Sequence, residues 1–372
     1  MAVTVLPVPA SGSTLLMIGT RKGLFLARSE DRATWAIEGP AFPMNAVYAV
    51  AVDTRRATPR LLVGADSEHW GPSVFHSEDL GATWDETEGG ALRFPAETGA
   101  ALTRAWQLQP AGVDQPDVVY AGVEPAALFR SDDGGATFSL VEGLWDHPHR
   151  PRWQPGGGGL CLHTVVPHPT DADRVLVAVS AAGAYRTEDG GKSWQASNAG
   201  IQALHQPDPF PEFGQCVHKI ARNPSRPDEM FLQNHGGVYR SRDGGETWET
   251  IEDGLPATFG FPMVAHPHTP GTAYAFPLVA DAHRMPPEDR LRVWRTTDGG
   301  DSWHGLDAGL PREPAYSTVL RDAMCADDEP TAGVYFGTRG GDVFGSADEG
   351  ETWGSVARYL PDILSLRAAR VP

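Results

Sequence analysis

The sequence predicts an all-β fold, a seven-bladed β-propeller with four strands in each blade. The main observation is a short turn that recurs seven times, with Ser or Thr, then Asp, Gly, Ser or Thr, and an aromatic residue. The first copy is one residue shorter and has Ala33 in place of the glycine. The aspartates follow one another at intervals of 48 to 56 residues, a spacing typical of stacked supersecondary units. They are Asp31, Asp79, Asp133, Asp189, Asp243, Asp298 and Asp348.

The residue types of the turn have a physical explanation, which the copy around Asp243 illustrates. The Asp243 carboxylate can accept hydrogen bonds from backbone N–H groups of its own loop. Gly245 can take the positive φ that closes the hairpin, and Trp248 is a large apolar group that can pack between neighbouring units. In these residues the turn resembles the Asp-box, or BNR repeat, of sialidase-like β-propellers.

Each repeat contains four short runs of β-branched and aromatic residues that predict strands. The inner strand often ends in a polar residue and proline, as in His163–Pro169 and His218–Pro224. Runs such as Leu61–Gly64 and Val74–His76 predict the second and third strands. The fourth strand begins at the aromatic residue of the turn.

The two ends of the chain are expected to complete one blade together. The runs Leu15–Ile18, Gly23–Leu26 and Trp35–Ile37 match the second, third and fourth strands, and the inner strand of this repeat is missing. Ile363–Val371 matches an inner strand. We therefore expect residues 1–372 to form a single propeller domain whose C-terminal strand closes the first blade and removes exposed sheet edges.

Composition limits the classes of function. The 372 residues carry a net charge of −18, which argues against binding to nucleic acid. No stretch approaches the roughly 20 apolar residues of a membrane span, so we expect no membrane partner. Three cysteines are too few for a disulfide scaffold, and Met1–Ser13 lacks the features of a signal peptide. These observations predict a cytoplasmic protein, and nothing in the sequence calls for a cofactor.

A ligand site is expected on the propeller face opposite the repeated turns, because loops on a rigid scaffold carry function. Bases gather there although the chain is acidic, which favours an anionic or sugar-like small molecule as the partner. The predicted catalytic residues are Glu124, His163, His218 and Tyr316. The predicted ligand-binding residues are Arg21, Lys22, His69, Trp70, Arg104, Lys219, His235 and Arg339. Three loops are expected to contribute: 145–159, 200–215 and 281–290.

Two alternatives concern the same face. Cys161 with His163 and Cys216 with His218 occupy equivalent positions of adjacent blades, and two Cys and two His can hold zinc. Both pairs would have to converge across two blades, so we expect no metal. Separately, Trp70, Trp145 and Trp153 are candidate platforms for a sugar ring, with loop packing as the alternative.

The resemblance covers nearly the whole chain at the level of fold, and it does not include a sialidase active site. Sialidases use an arginine triad, a tyrosine nucleophile paired with glutamate, and an aspartate acid/base, on six blades. This chain also lacks their Arg-Ile-Pro segment before the first box, with Arg93-Phe94-Pro95 following the second. It is more similar to the WD40/YVTN/BNR-like proteins, whose seven-bladed relatives include xyloglucanase-type hydrolases and photosystem II assembly factors.

Two classes of function therefore remain open. The first is a glycosidase-like hydrolase, another enzyme or a binding protein for a small anionic molecule, with its site at the channel mouth. The second is a non-catalytic interaction or assembly scaffold. Fold alone does not choose between them, and the sequence does not indicate the substrate or the oligomeric state.

Overall fold

The computed structural model describes residues 12–279 and 283–372, and in these ranges the strands form seven antiparallel sheets of four strands. The inner strands pack side by side in a ring around a central channel, which confirms the seven-bladed propeller. In the described ranges the helices are short: one α-helix, Glu142–Trp145, and three 3-10 turns at Ala96–Thr98, Arg150–Arg152 and Pro287–Asp289. None of the helices in the described part of the chain is long enough to cross a bilayer.

The strands are numbered in chain order. Blade 1 contains β1 (Ser13–Thr20), β2 (Gly23–Ser29), β3 (Ala36–Ala41) and the C-terminal β28 (Ile363–Val371). Blade 2 contains β4 (Ala46–Asp53), β5 (Arg60–Ser67), β6 (Gly71–Ser77) and β7 (Asp85–Glu86). Blade 3 contains β8 (Arg104–Pro110), β9 (Val119–Glu124), β10 (Ala127–Ser131) and β11 (Ser139–Leu140). Blade 4 contains β12 (Leu162–Pro167), β13 (Val175–Val179), β14 (Gly183–Thr187) and β15 (Gln195–Ala196).

Blades 5 to 7 complete the ring. Blade 5 contains β16 (Val217–Arg222), β17 (Met230–Asn234), β18 (Gly237–Ser241) and β19 (Glu249–Thr250). Blade 6 contains β20 (Phe259–Ala265), β21 (Ala273–Leu278), β22 (Val293–Thr296) and β23 (His304–Leu306). Blade 7 contains β24 (Met324–Ala326), β25 (Val334–Gly337), β26 (Val343–Ser346) and β27 (Gly354–Ala357).

The C-terminal strand closes the ring as expected. Strand β28 pairs antiparallel with β1 from Ser13↔Val371 to Thr20↔Ile363. Both strands are largely buried, so their hydrogen bonds and apolar side chains join the two ends of the chain in one sheet. Closure gives β1 a paired inner edge, so blade 1 has the same four strands as the other blades.

The repeated turns connect the third and fourth strands of the blades and have the predicted hydrogen bonds. In the blade 5 copy, Asp243 Oδ1 accepts from the Thr247 N–H at 2.9 Å and from the Ser241 hydroxyl at 2.7 Å. The box tryptophan reaches the preceding blade, where Trp248 Nε1 donates to the Ser197 carbonyl at 2.9 Å. The box therefore has a structural role: it closes a turn and links two neighbouring blades.

Candidate functional site

Several inner strands have a β-bulge near their start, and the bulge determines which side chain faces the channel mouth. In blades 2 to 5 the pairing register skips one residue at the same place, between Val47 and Ala49 in blade 2, for example. Bulges re-aim side chains and are common next to functional sites. The bulged residues are Tyr48, Trp106, His163 and His218, and similar irregularities place Phe261 in blade 6 and Leu364 in blade 1.

Five of these six side chains line one cavity of about 220 Å³ at the channel mouth, on the face opposite the Asp-boxes. Its wall combines aromatic rings with arginine and histidine, and the loop Gly156–Gly158 lies against it. The lining residues are Tyr48, Trp106, Gly156, Gly157, Gly158, Ser180, Cys216, Val217, His218, His235, Phe259, Phe261, Arg284, Leu320, Arg321, Asp322 and Leu364.

Among the described residues, Arg321 is one of two arginines that line this cavity, with Arg284. Its guanidinium lies 5.3 Å from the ring centroid of Trp106, and its charge acts on the thiols of Cys161 and Cys216. No carboxylate among residues 12–279 and 283–372 is close enough to pair with it. A buried or half-buried arginine without a carboxylate partner favours binding of an anion.

His218, Cys216 and His235 form a cluster that lines the same cavity. His218 Nδ1 donates to the Gly260 carbonyl at 2.6 Å, so its Nε2 faces Cys216 Sγ at 3.6 Å. Burial, with the nearby Arg321 charge, lowers the pKa of His218 to about 3, and the imidazole is neutral at pH 7. Burial also raises the pKa of the Cys216 thiol.

The floor of the cavity is a buried ion network that crosses the channel. Lys219 Nζ donates to Asp322 Oδ1 at 2.8 Å, and Arg367 Nη2 donates to the same oxygen at 2.7 Å. Although burial alone raises the pKa of Asp322, Lys219 and Arg367 hold it below its ordinary value. Lys219, predicted to bind ligand, lies instead in this network and lines a second cavity of about 580 Å³ that opens toward the Asp-box face.

A second ion network lies behind the aromatic wall. Arg104 Nε donates to Asp66 Oδ2 at 2.6 Å, and Arg104 Nη1 lies 3.8 Å from Glu124 Oε2. The guanidinium stacks 4.1 Å above the centroid of the Tyr48 ring, while Trp106 Nε1 donates to Glu124 at 3.0 Å. Burial raises the pKa of Asp66 to about 6 despite the Arg104 partner. This network supports the wall without lining the cavity.

Six of the predicted site residues lie away from the cavity. Arg21, Lys22 and His69 are exposed, and the Trp70 side chain is 92% exposed. Arg339 forms a two-pronged ion pair with Asp362 and, with the exposed Tyr316, lines a separate surface cleft. The expectation that the bases of this face converge in one pocket is therefore wrong for these side chains, because five of them are exposed to solvent and Arg339 pairs with Asp362.

His163 is at the predicted position and does not line the cavity. Its ring is fully buried, and Nδ1 lies 3.0 Å from the Thr164 hydroxyl. Burial, followed by the charges of Arg321 and Lys219, lowers its pKa well below the ordinary value. Cys161 Sγ lies 3.1 Å from the Ser180 hydroxyl, so this Cys–His pair does not join Cys216 and His218 in a four-ligand cluster.

The remaining predicted elements divide between packing and the site. Trp153 is buried and donates to the Tyr185 hydroxyl at 2.7 Å, while the Trp145 ring carries Arg150 at 3.3 Å from its centroid. Both therefore pack loops. Within the loop 281–290, residues 281 and 282 lie outside the described residues, and Arg284 lines the cavity 5.5 Å from the Phe261 centroid.

Sequence reasoning missed Arg321, Tyr48 and Trp106. Tyr48 and Trp106 stand at the same place in their repeats as His163 and His218, so alignment of the inner strands could have found them. Arg321 offered no such signal, because blade 7 begins its inner strand only at Met324 and Arg321 lies in the irregular segment before it.

A model of the BNR/Asp-box repeat family matches residues 239–250, the blade 5 box and its flanks. Xyloglucanase Xgh74A of Acetivibrio thermocellus is 27% identical over 241 residues, which cover 54% of this chain and 26% of that protein. A xyloglucanase of Hypocrea jecorina is 23% identical over 344 residues, or 80% of this chain and 38% of that protein. The chain thus spans about a quarter to two fifths of the length of these relatives.

Solved structures show the same fold at low identity. A GH74 enzyme from Niastella koreensis superposes with a TM-score of 0.61 and 16% identity, covering 94% of this chain and 55% of that one. A structure described as YCF48 bound to D1 peptide gives a TM-score of 0.52 and 15% identity, covering 95% and 88%. At these identities the likeness establishes the propeller fold alone.

Proposed function

Because the chain is a BNR/Asp-box-repeat β-propeller with an arginine-containing cavity at its channel mouth, we propose that it binds a small anionic, sugar-like ligand there. The observation that carries the proposal is Arg321, whose guanidinium has no carboxylate partner among the described residues. Trp106 and Tyr48 beside it offer aromatic faces, on which a sugar ring can stack.

The size of the cavity limits the ligand. At about 220 Å³ it is smaller than the roughly 300–1,000 Å³ typical of sites for drug-sized molecules, so it suits a monosaccharide acid or a smaller anion. The acidic surface of a chain with net charge −18 makes a local positive site more selective, since anions are repelled elsewhere.

Titration calorimetry with glucuronate, glucose and benzoate tests this proposal. Glucuronate and glucose differ in the carboxylate, so their comparison measures the contribution of the negative charge. Benzoate has a carboxylate and a ring but no sugar hydroxyls, so its comparison with glucuronate measures the contribution of the hydroxyls. Arg321→Gln removes a charge-assisted hydrogen bond worth about 1.5–3 kcal/mol, so glucuronate binding should weaken about ten- to hundredfold. Arg242→Gln, an exposed arginine on the Asp-box side, is the matched control.

The competing location is the surface cleft with Arg339 and Tyr316. If Arg339→Gln weakens glucuronate binding and Arg321→Gln does not, the ligand site is that cleft and the proposal is wrong. Equal affinity for glucose and glucuronate would also contradict it, because the carboxylate would then contribute nothing. Failure of every probe to bind at millimolar concentration would favour the scaffold alternative.

We propose glycoside hydrolysis as a second candidate function, motivated by the xyloglucanase relatives and by one carboxylate pair. Asp66 and Glu124 flank Arg104, and the raised pKa of Asp66 is a property of general acids in glycosidases. Release of reducing sugar from xyloglucan oligosaccharides, abolished in Asp66→Asn and Glu124→Gln, would support it. Both carboxylates contact Arg104 behind the aromatic wall and do not line the cavity. The structure therefore favours ligand binding over hydrolysis at this cavity.

A further inference from the structure

Three side chains of blade 5 come together on one wall of the channel-mouth cavity. Cys216 lies directly before β16, His218 is the bulged residue of that strand, and His235 lies in the turn between β17 and β18. Their potential ligand atoms, one sulfur and two ring nitrogens, all lie within 4.8 Å of one another. Cysteine with two histidines is a donor set typical of zinc sites.

The spacing of two of these atoms matches tetrahedral coordination. Zinc binds sulfur at about 2.3 Å and imidazole nitrogen at about 2.0–2.1 Å, and at the tetrahedral angle these bonds place S and N about 3.6 Å apart. The distance from Cys216 Sγ to His218 Nε2 is 3.6 Å. A single ion can therefore contact both atoms with little movement of either, and a His235 ring nitrogen, within 4.8 Å of both, completes the set by moving closer.

The surroundings hold the histidine in the orientation that a metal requires. The 2.6 Å hydrogen bond from His218 Nδ1 to the Gly260 carbonyl leaves the lone pair on Nε2, the atom that faces Cys216. Donation of the second ring N–H to a backbone carbonyl is the usual outer-shell support of a metal-bound histidine. Phe261 stacks on His218 with centroids 4.9 Å apart, and Phe259 lies 5.0 Å from His235.

We propose that Cys216, His218 and His235 bind one Zn²⁺ ion, with the fourth coordination position directed into the cavity. Three protein ligands and one open position are the pattern of zinc sites that bind or activate small molecules. The Cys216 thiol gives its proton to solvent on binding, so the thiolate cancels one of the two metal charges. The remaining charge lies in the same cavity as Arg321, where an anion would compensate both.

Cobalt substitution tests the site in the full-length protein without any organic ligand. After chelator treatment and dialysis, Co²⁺ should bind at one equivalent and give a thiolate-to-cobalt charge-transfer band with intense visible bands typical of tetrahedral coordination; Zn²⁺ should displace it. Cys216→Ser should abolish the charge-transfer band. His235→Ala should weaken binding by more than about a hundredfold, beyond the 10–100-fold typical of outer-shell changes.

Matched controls change one cysteine and one histidine outside the proposed ligand set. Cys161→Ser changes the cysteine at the same position of blade 4, and His304→Ala changes an exposed histidine of β23; both should retain the cobalt spectrum. Absence of stoichiometric binding by the wild type, or an unchanged spectrum in Cys216→Ser, would overturn the proposal. If circular dichroism shows that Cys216→Ser is unfolded, the half-buried His235 variant decides the outcome.

The metal proposal stands apart from the proposed anion ligand. Zinc binding is measured on protein without ligand, whereas glucuronate binding is measured on chelator-treated protein with Arg321→Gln. A protein that binds zinc and no anion contradicts only the ligand proposal, and the reverse result contradicts only the metal proposal.

Discussion

Lys219 and Asp322 join blade 5 to blade 7 across the central channel through a hydrogen-bonded ion pair of 2.8 Å. Arg367 of β28 donates to the same carboxylate, so one buried aspartate connects three blades. The two cations and the anion leave this network with one excess positive charge beneath the cavity. The network lies between the channel-mouth cavity, which Asp322 lines, and the larger cavity on the Asp-box side, which Lys219 and Arg367 line.

Replacement of the central carboxylate should destabilise the propeller. Asp322→Asn leaves the buried Lys219 and the partly buried Arg367 without a counter-charge, at an expected cost of about 3–5 kcal/mol in the free energy of unfolding. Urea denaturation measures this. Asp362→Asn, which breaks the half-exposed pair with Arg339, should cost at most about 1 kcal/mol. Equal losses in the two variants would mean that the channel network is not a structural strut.

Ring closure by the C-terminal strand should be required for folding. Deletion of residues 363–372 removes the partner of β1, including the core residues Ile363 and Leu366, and exposes the whole edge of β1. We expect insoluble or partly unfolded protein, measured by solubility and circular dichroism. Removal of Pro372 alone, which lies beyond the strand, should leave the melting curve unchanged. A 363–372 deletion that melts like the wild type would contradict the closure model.

The Asp-boxes should affect stability and not ligand binding. Asp243→Ala removes the acceptor for the Thr247 N–H and hydroxyl and for the Ser241 hydroxyl, at a cost of about 1–3 kcal/mol. Thermal melting and glucuronate titration below the melting range measure the two effects separately, with the exposed Asp253→Ala as the control. Loss of binding with an unchanged melting temperature would show that the box has a direct functional role.

Asp66 should make stability depend on pH in a defined window. Its pKa is raised from 3.8 to about 6 in the folded protein, so between these values the folded state binds more protons than the unfolded state. Its contribution is therefore favourable at low pH and is lost as pH rises through about 6, for a total of about 3 kcal/mol.

Denaturation at several pH values between 4 and 7, compared with Asp66→Asn, isolates this effect. The variant should lack the decline attributed to Asp66, while the exposed Asp114→Asn should keep it. A wild-type minus variant difference that does not change with pH would show that Arg104 keeps the Asp66 carboxylate ionised throughout.

The repeat made the fold predictable to the level of individual strands. Seven turns in register predict seven units. The turns can be recognised from the sequence because the aspartate of each turn hydrogen-bonds to residues of the same turn. The first repeat lacks an inner strand, and Ile363–Val371 matches an inner strand after the last repeat. Together these two observations also predicted the closure. The face that carries the channel-mouth cavity followed from which loops connect which strands.

The composition of the cavity depends on the direction in which each side chain points, and a strand pattern does not predict that direction. His218 and His235 were predicted, but Arg339 and Lys219 were expected in the same pocket and instead pair with Asp362 and Asp322. These carboxylate partners lie 23 and 103 residues away in sequence, and no local spacing pattern identifies them.

Local chemistry in the sequence by itself therefore determined the propeller, its blade count, its closure and the face that carries the cavity. Only the tertiary structure decided which side chains meet, because the inner-strand bulges turn Tyr48, Trp106 and His218 toward one cavity. It also placed Arg321, from an irregular segment before β24, beside Trp106. Ring closure brings these residues from different blades together, and their charge and burial are properties of that assembled environment.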